Sequence, residues 1–126
     1  MRVLICGDRN WNDIDRVREV VKEMHGKSFI DVVIEGEAPG ADTHGAIIAN
    51  ELGIPVEKYP ADWKKYGRAA GPIRNKKMLD DGKSDIVLAF HNHLLHSKGT
   101  KNMCTIAKKA GVRVLVAHSQ GQTEIY

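Results

Sequence analysis

Gly7-Asp8-Arg9-Asn10-Trp11 sets a backbone turn, a guanidinium and a large flat ring in one short loop. A guanidinium grips phosphate through two parallel hydrogen bonds, and a flat ring stacks on a base. Trp11 suits a core position equally, which the general burial of tryptophan favours. A second stretch, Glu35-Gly36-Glu37-Ala38-Pro39-Gly40-Ala41-Asp42, joins an apolar run to a segment that reads as helix over 43–52. Gly36 and Gly40 lack a Cβ, so a ligand can approach the backbone there. The helix that follows turns its first N–H groups and its positive dipole end toward the turn, which favours phosphate. Asp42 reads as its N-cap and would compete with a ligand for the same donors. A tight β–α turn that binds nothing has the same composition.

Two more stretches carry candidate chemistry. Arg74 and Asn75 fall early in a helix expected after Gly71-Pro72. A cation in a first turn opposes the helix dipole, and an anionic ligand reverses that cost. The structural alternative pairs Arg74 with Asp62 or Asp42. Ser97-Lys98-Gly99-Thr100 opens the last helix with two hydroxyls, a glycine and free N–H groups. It is not a Walker A loop, and no G-x-G-x-x-G fingerprint follows the first strand. His91, His93 and His96 lack a second cluster of cysteine or carboxylate ligands, so no metal is expected, and no cofactor is called for. Trp63 and Tyr66 lie in a loop beside these stretches, which favours contact with a ligand or partner.

The elements that must position these residues read off as alternating strands and helices. Val3–Cys6 is a short apolar run, as in a strand covered on both faces. Asp13 can cap a helix carrying Ile14, Val17, Val20, Val21 and Met24. Strands are expected at 29–34, 54–59, 85–90 and 112–117, and helices at 43–52, from Pro72 to just before Gly82, and at 100–110. The polar tail 118–126 has no assignment. The pattern predicts an α/β, Rossmann-like, three-layer fold with a mainly parallel sheet of about five strands and helices on both faces, in one domain over 1–126. Ligands of such sheets bind outside the carboxyl ends of the strands. Each distinctive polar stretch (7–11, 35–42, 59–71 and 91–100) follows a strand, so all gather at one edge.

The chain has 126 residues, a net charge of +3 and 42% hydrophobic residues. That charge suits an anionic ligand but is short of the basic footprint of a dedicated nucleic-acid binder. Cys6 and Cys104 form no disulfide framework, which fits a cytoplasmic location. No apolar run is long enough to span a membrane, and a strand at residues 2–6 leaves no room for a signal peptide.

Four ordered motifs are shared with a known family: G-D-R-N-W, V-I-E-G-E-A-P-G-A-D, Y-P-A-D-W-K-K-Y-G-R-A-A-G-P-I-R-N-K-K-M and A-F-x(6)-S-K-G-T. Together they resemble the YspA-like (cpYpsA-related) branch of the SLOG superfamily over nearly the whole chain. The resemblance implies a modified Rossmann fold that binds nucleotides or nucleotide-derived ligands. Its relatives include the cytokinin-activating phosphoribohydrolases of the Lonely Guy family and the DNA-processing protein A family. It implies a site built from Gly7, Arg9, Glu35, Gly36, Gly40, Asp42, Arg74, Asn75, Ser97, Gly99 and Thr100. Trp11, Asp62 and Lys98 join them as candidate ligand contacts.

The phosphoribohydrolases carry P-G-G-x-G-T-x-x-E, whose glutamate serves hydrolysis, and here Met103 stands in its place. A thioether neither accepts a proton nor holds an attacking water. Glu35 is then the substitute carboxylate for any enzyme reading. The sequence thus predicts a sensor or carrier of a nucleotide-derived small molecule, for instance one resembling ADP-ribose. The alternatives are cleavage of the N-glycosidic bond of nucleoside monophosphates, and single-stranded DNA binding, which the mild charge disfavours. Self-association into a homo-oligomer stays open.

Overall fold

A computed structural model describes residues 1–126. Six strands form one sheet: β1 (Arg2–Gly7), β2 (Val32–Glu35), β3 (Val56–Lys58), β4 (Ile86–Phe90), β5 (Arg113–Ala117) and β6 (Glu124–Ile125). The helices are α1 (Ile14–Lys27), α2 (Ala41–Glu51), α3 (Trp63–Tyr66), α4 (Ala70–Gly82) and α5 (Gly99–Lys109). The spatial order is β3-β2-β1-β4-β5-β6, parallel except for the last pair. β1 and β4 are neighbours although two strands, β2 and β3, lie between them in the chain, so the winding reverses there. That reversal opens a crevice at their carboxyl ends.

Alternation along the strands sorts the core onto two faces. Val3, Ile5, Val33, Leu88 and Phe90 pack against Val17, Val20 and Val21 of α1 and Ile48 of α2. Leu4, Cys6, Ile34, Val87 and Ala89 pack against Met78 of α4 and Met103, Cys104 and Ala107 of α5. Strands covered on both faces must be apolar at every position, which is why β1 and β4 read as continuous runs. Gly45 lets α2 settle on β1, since a Cβ there would stand 2.9 Å from Ile5 Cγ2. Asp13 caps α1 by accepting from Arg16 N–H at 3.0 Å.

The expected boundaries shift in four places. The sheet has a sixth strand inside the polar tail, where Glu124 and Ile125 pair antiparallel with Val116 and Leu115. Two exposed residues carry no periodicity, so the tail could not be read as a strand. β2 starts at Val32 rather than Phe29, because the first register partner of β1 is Arg2 opposite Val32. Phe29 is 69% exposed. Ile54 and Pro55 precede β3, and Tyr59 follows it. The segment 60–71 is not one loop: it holds α3 and a 3₁₀ turn at Gly67–Ala69, and α4 begins at Ala70, two residues before Pro72. No helix is long and apolar enough to cross a membrane.

Candidate functional site

The β1 turn is shaped by backbone contact. Gly7 has φ +155°, and a Cβ on it would stand 2.2 Å from Phe90 O. The chain therefore crosses the end of β4, and Asp8 N–H donates to Phe90 O at 2.9 Å. Asp8 O then accepts from both Trp11 N–H and Ala41 N–H, each at 3.1 Å. The first donor of α2 is thereby satisfied by the protein itself. Trp11 is 5% exposed, its ring centroid 5.6 Å from that of Phe90, and its Nε1 donates to Asp13 O. Its polar handle and its faces are spent in the core. Arg9 is left on the outside of the turn, exposed and without a carboxylate partner.

The turn from Glu35 to Asp42 closes on itself. α2 starts after Gly40, so Asp42 lies in the first turn and is not the N-cap. Its Oδ2 accepts from Gly36 N–H at 3.1 Å and Ala38 N–H at 3.2 Å. Burial pushes the Asp42 carboxyl up to about 6, against the Ala38 N–H and the charge of Arg74. Glu35 is 1% exposed; its Oε2 accepts from Glu37 N–H at 2.7 Å and its Oε1 has no partner. Burial pushes its carboxyl up to about 7. The room left by both glycines is taken by the protein. A Cβ on Gly40 would stand 2.3 Å from Asp8 O, and one on Gly36 would stand 2.4 Å from Arg74 Nη1.

The other wall comes from α4 and α5. Arg74 donates from Nη1 to Gly36 O and from Nε to Asn75 Oδ1. No carboxylate lies in ion-pair reach of it, although Asp42 feels its charge. Asn75 is buried and donates to Gly99 O at 3.2 Å and Asn102 Oδ1 at 3.0 Å, which ties α4 to the start of α5. Ser97, the residue before the N-cap Lys98, accepts at Oγ from Lys101 N–H at 3.0 Å. The N–H groups of Gly99 and Thr100 find no acceptor in the protein. Nothing stands within 4 Å of a Cβ placed on Gly99. His91 follows β4 and is 9% exposed. Its Nδ1 accepts from His93 N–H at 2.9 Å, and burial lowers its pKa, so the neutral ring carries its proton on Nε2.

These walls enclose a cavity of about 720 Å³ at the reversal point, within the usual range for small-molecule sites. It brings together ten predicted residues: Gly7, Arg9, Gly36, Asp42, Arg74, Asn75, Ser97, Lys98, Gly99 and Thr100. Four others are not on its wall. Trp11 is in the core. Glu35 faces its own turn. Gly40 is covered by the Asp8–Arg9 backbone. Asp62 spends Oδ1 on Lys65 N–H at 3.1 Å, capping α3. The cavity also takes Asp8, Asn10, Trp63, Arg68, His91 and Met103. Except for Met103, which comes from α5, their shared signal is position, in the turns after β1 and β4 or in the insertion before α4. A groove of about 650 Å³ lies elsewhere, between α1, β5 and residues 121–123. Four of its charged side chains are already partnered, Arg16 with Glu19 and Lys27 with Glu23, which leaves Arg113 as a single cation there. Charge does not converge there on open space.

Residues 1–66 match the model of the YspA, cpYpsA-related SLOG family. The gene 61 protein of Mycobacterium phage D29 is 35% identical over 120 residues, covering 90% of this chain and 94% of that protein. The chain belongs to the YspA, cpYpsA-related SLOG family. This SLOG chain also shares its fold with DNA processing protein A of Streptococcus pneumoniae, at TM-score 0.72 and 17% identity. That likeness covers 91% of this chain and 49% of the other, so the SLOG chain spans about half the length of that protein. Membership of a SLOG family points to nucleotide-related binding or processing.

Proposed function

We propose that this chain binds a nucleotide or nucleotide-derived small molecule in the 720 Å³ cavity and serves as its sensor or carrier. The observation that carries this reading is a set of unspent donors. Arg9, Arg68 and Lys98 line the cavity without carboxylate partners, and the first N–H groups of α5 point to the same space. An anion with several acceptor oxygens satisfies them together. The phosphate lies toward Arg9 and the start of α5, and His91 Nε2 offers one more donor. Residues 1–126 act as one SLOG-type domain, and two buried free cysteines fit a reducing, cytoplasmic setting.

Thermal unfolding in a panel of adenine, guanine and cytosine nucleotides and ADP-ribose tests the proposal. A ligand at about 100 times its Kd adds roughly 2.7 kcal/mol, whereas free bases add nothing. An unshifted melting temperature across the panel at millimolar concentration sinks the reading.

Asp42 supports a second reading, as an N-glycosidic hydrolase. Its carboxyl lines the cavity and is pushed up to about 6, in the range useful for proton transfer. Against it, Oδ2 is held by two backbone N–H groups, and Met103 faces the cavity where related hydrolases carry glutamate. Chromatography of nucleoside monophosphates after incubation separates the readings: free base that disappears with Asp42→Asn favours the enzyme.

A further inference from the structure

We propose that Trp63 is the base-stacking platform of this cavity: a nucleobase lies on the indole while the phosphate reaches Arg9, Lys98 and the start of α5. The inference rests on the nucleotide reading above and adds the subsite that recognises the base.

The two tryptophans of the chain differ in what surrounds them. Trp11 is 5% exposed and Trp63 is 50% exposed. A half-bare indole is a large apolar surface left in water, and covering it with a flat ring is favourable. Trp63 is nonetheless held in place. Asp62 caps α3, Tyr66 N–H donates to Asp62 O at 3.0 Å, and Gly67 N–H donates to Trp63 O. The indole is braced from behind as well: its Cη2 lies 3.5 Å from where a Cβ of Gly71 would stand. The missing side chain at Gly71 lets the ring rest on the first turn of α4.

The neighbours complete the subsite. Pro60, Ala61 and Pro72 share the cavity wall with Trp63, and none of their side chains offers a hydrogen bond. Arg9, Lys98 and Gly99 belong to the same cavity, so one ligand can touch both chemistries. The cavity therefore suits a ligand with an aromatic part and an anionic part. Stacking is tolerant of base identity, because every base has a π-face. Tyr66 does not share this role: it is absent from the cavity wall, and Lys65 Nζ lies 5.1 Å from its ring centroid.

The test measures affinity and tryptophan fluorescence for AMP, GMP, CMP and ribose 5-phosphate with wild type, Trp63→Phe and Trp63→Ala. AMP quenches wild-type fluorescence, and ribose 5-phosphate binds without quenching. Trp63→Ala lowers AMP affinity roughly 5- to 100-fold, as loss of one stacked base does, and leaves ribose 5-phosphate unchanged. Trp63→Phe keeps AMP affinity within about threefold but loses the quenching, since an aromatic face remains and Trp11 is buried. AMP binding that Trp63→Ala does not weaken overturns the platform and leaves the nucleotide reading intact. Equal losses for AMP and ribose 5-phosphate also overturn it, because the indole would then contact something other than the base. Failure of wild type to bind any of the four overturns both readings.

Discussion

The turn at 35–42 and the start of α5 look alike as sequence and differ as structure. Both are small-residue turns that lead from a strand region into a helix. At 35–42 the protein fills its own cradle: Asp8 O meets the first N–H of α2, and Arg74 occupies the space above Gly36. At Gly99 no protein atom occupies the equivalent space, and two N–H groups stay free. Glycine answers a demand for close approach, and that demand can come from the chain or from a ligand. The first turn builds the site, and the second is open to what the site receives.

The largest expected effect breaks the closed turn. Gly40 has φ +77° and ψ −122°, a conformation that a side chain resists, and a Cβ would run into Asp8 O and Arg9 O. Gly40→Ala therefore costs on the order of 3 kcal/mol or more, read from urea unfolding. A variant as stable as wild type would show that the Asp8–Arg9 loop does not seal this turn.

Next comes the buried acid of the same turn. The Glu35 carboxyl rises from 4.5 to about 7. Between those values the unfolded chain releases a proton that the folded chain keeps. Stability is therefore fully present below pH 4.5 and is lost as pH rises through 7, by on the order of 3 kcal/mol. Asp42 acts in the same direction but only from 3.8 to about 6. Above pH 6 the remaining loss belongs to Glu35. Glu35→Gln retains an acceptor for Glu37 N–H and should flatten the fall in melting temperature between pH 6 and 7. An unchanged slope in that variant would assign the loss to another group.

The two arginines carry the same contrast. Arg74 is half-buried and bonds Gly36 O, so Arg74→Ala lowers both stability and nucleotide affinity. Arg9 is exposed and unpartnered, so Arg9→Lys leaves stability unchanged. It weakens nucleotide binding by about 1–3 kcal/mol if the planar fork grips phosphate. Calorimetry beside urea unfolding reads both quantities, and an Arg9→Lys protein with wild-type affinity would remove Arg9 from the site.

Much of this contrast could not be read from residue types. The alternation of strands and helices was legible because both faces of β1 and β4 must be apolar, and alternation fixes which ends carry the loops. The convergence of 7–11, 35–42, 59–71 and 91–100 follows from that topology, and the cavity draws on all four. Side-chain direction was not legible. Asp42 reads as a cap, but the chain enters α2 at Gly40, and the carboxylate turns back to Gly36 and Ala38. Glu35 reads as a candidate acid, but it sits at the buried end of β2 and bonds its own turn. Asp62 has the composition of a ligand contact and the geometry of a cap on α3, a helix too short to leave a periodic trace. Local hydrogen bonding claims one oxygen of each carboxylate, Oδ2 of Asp42, Oε2 of Glu35 and Oδ1 of Asp62, and so sets the direction of each group.

The smallest effect on stability, and the sharpest use of the comparison, is at Gly99. It is the first residue of α5, its φ is not positive, and a Cβ there touches nothing in the protein. Gly99→Ala should fold as well as wild type or gain about 0.4–1 kcal/mol, because alanine restricts the unfolded chain and suits a helix. Against Gly40→Ala, the same chemical change thus has the opposite sign. Nucleotide affinity supplies the second reading. If phosphate approaches the free N–H groups of Gly99 and Thr100, the added methyl holds it off, and affinity falls by about tenfold, or 1.4 kcal/mol. Trimming the ligand to its nucleoside, which keeps the stacked ring and loses the phosphate, should abolish the difference between wild type and Gly99→Ala, since the methyl opposes only the anionic end. A variant that is more stable and binds nucleotide normally would place the phosphate elsewhere in the cavity, with Arg68 and Arg9 the cations left to hold it.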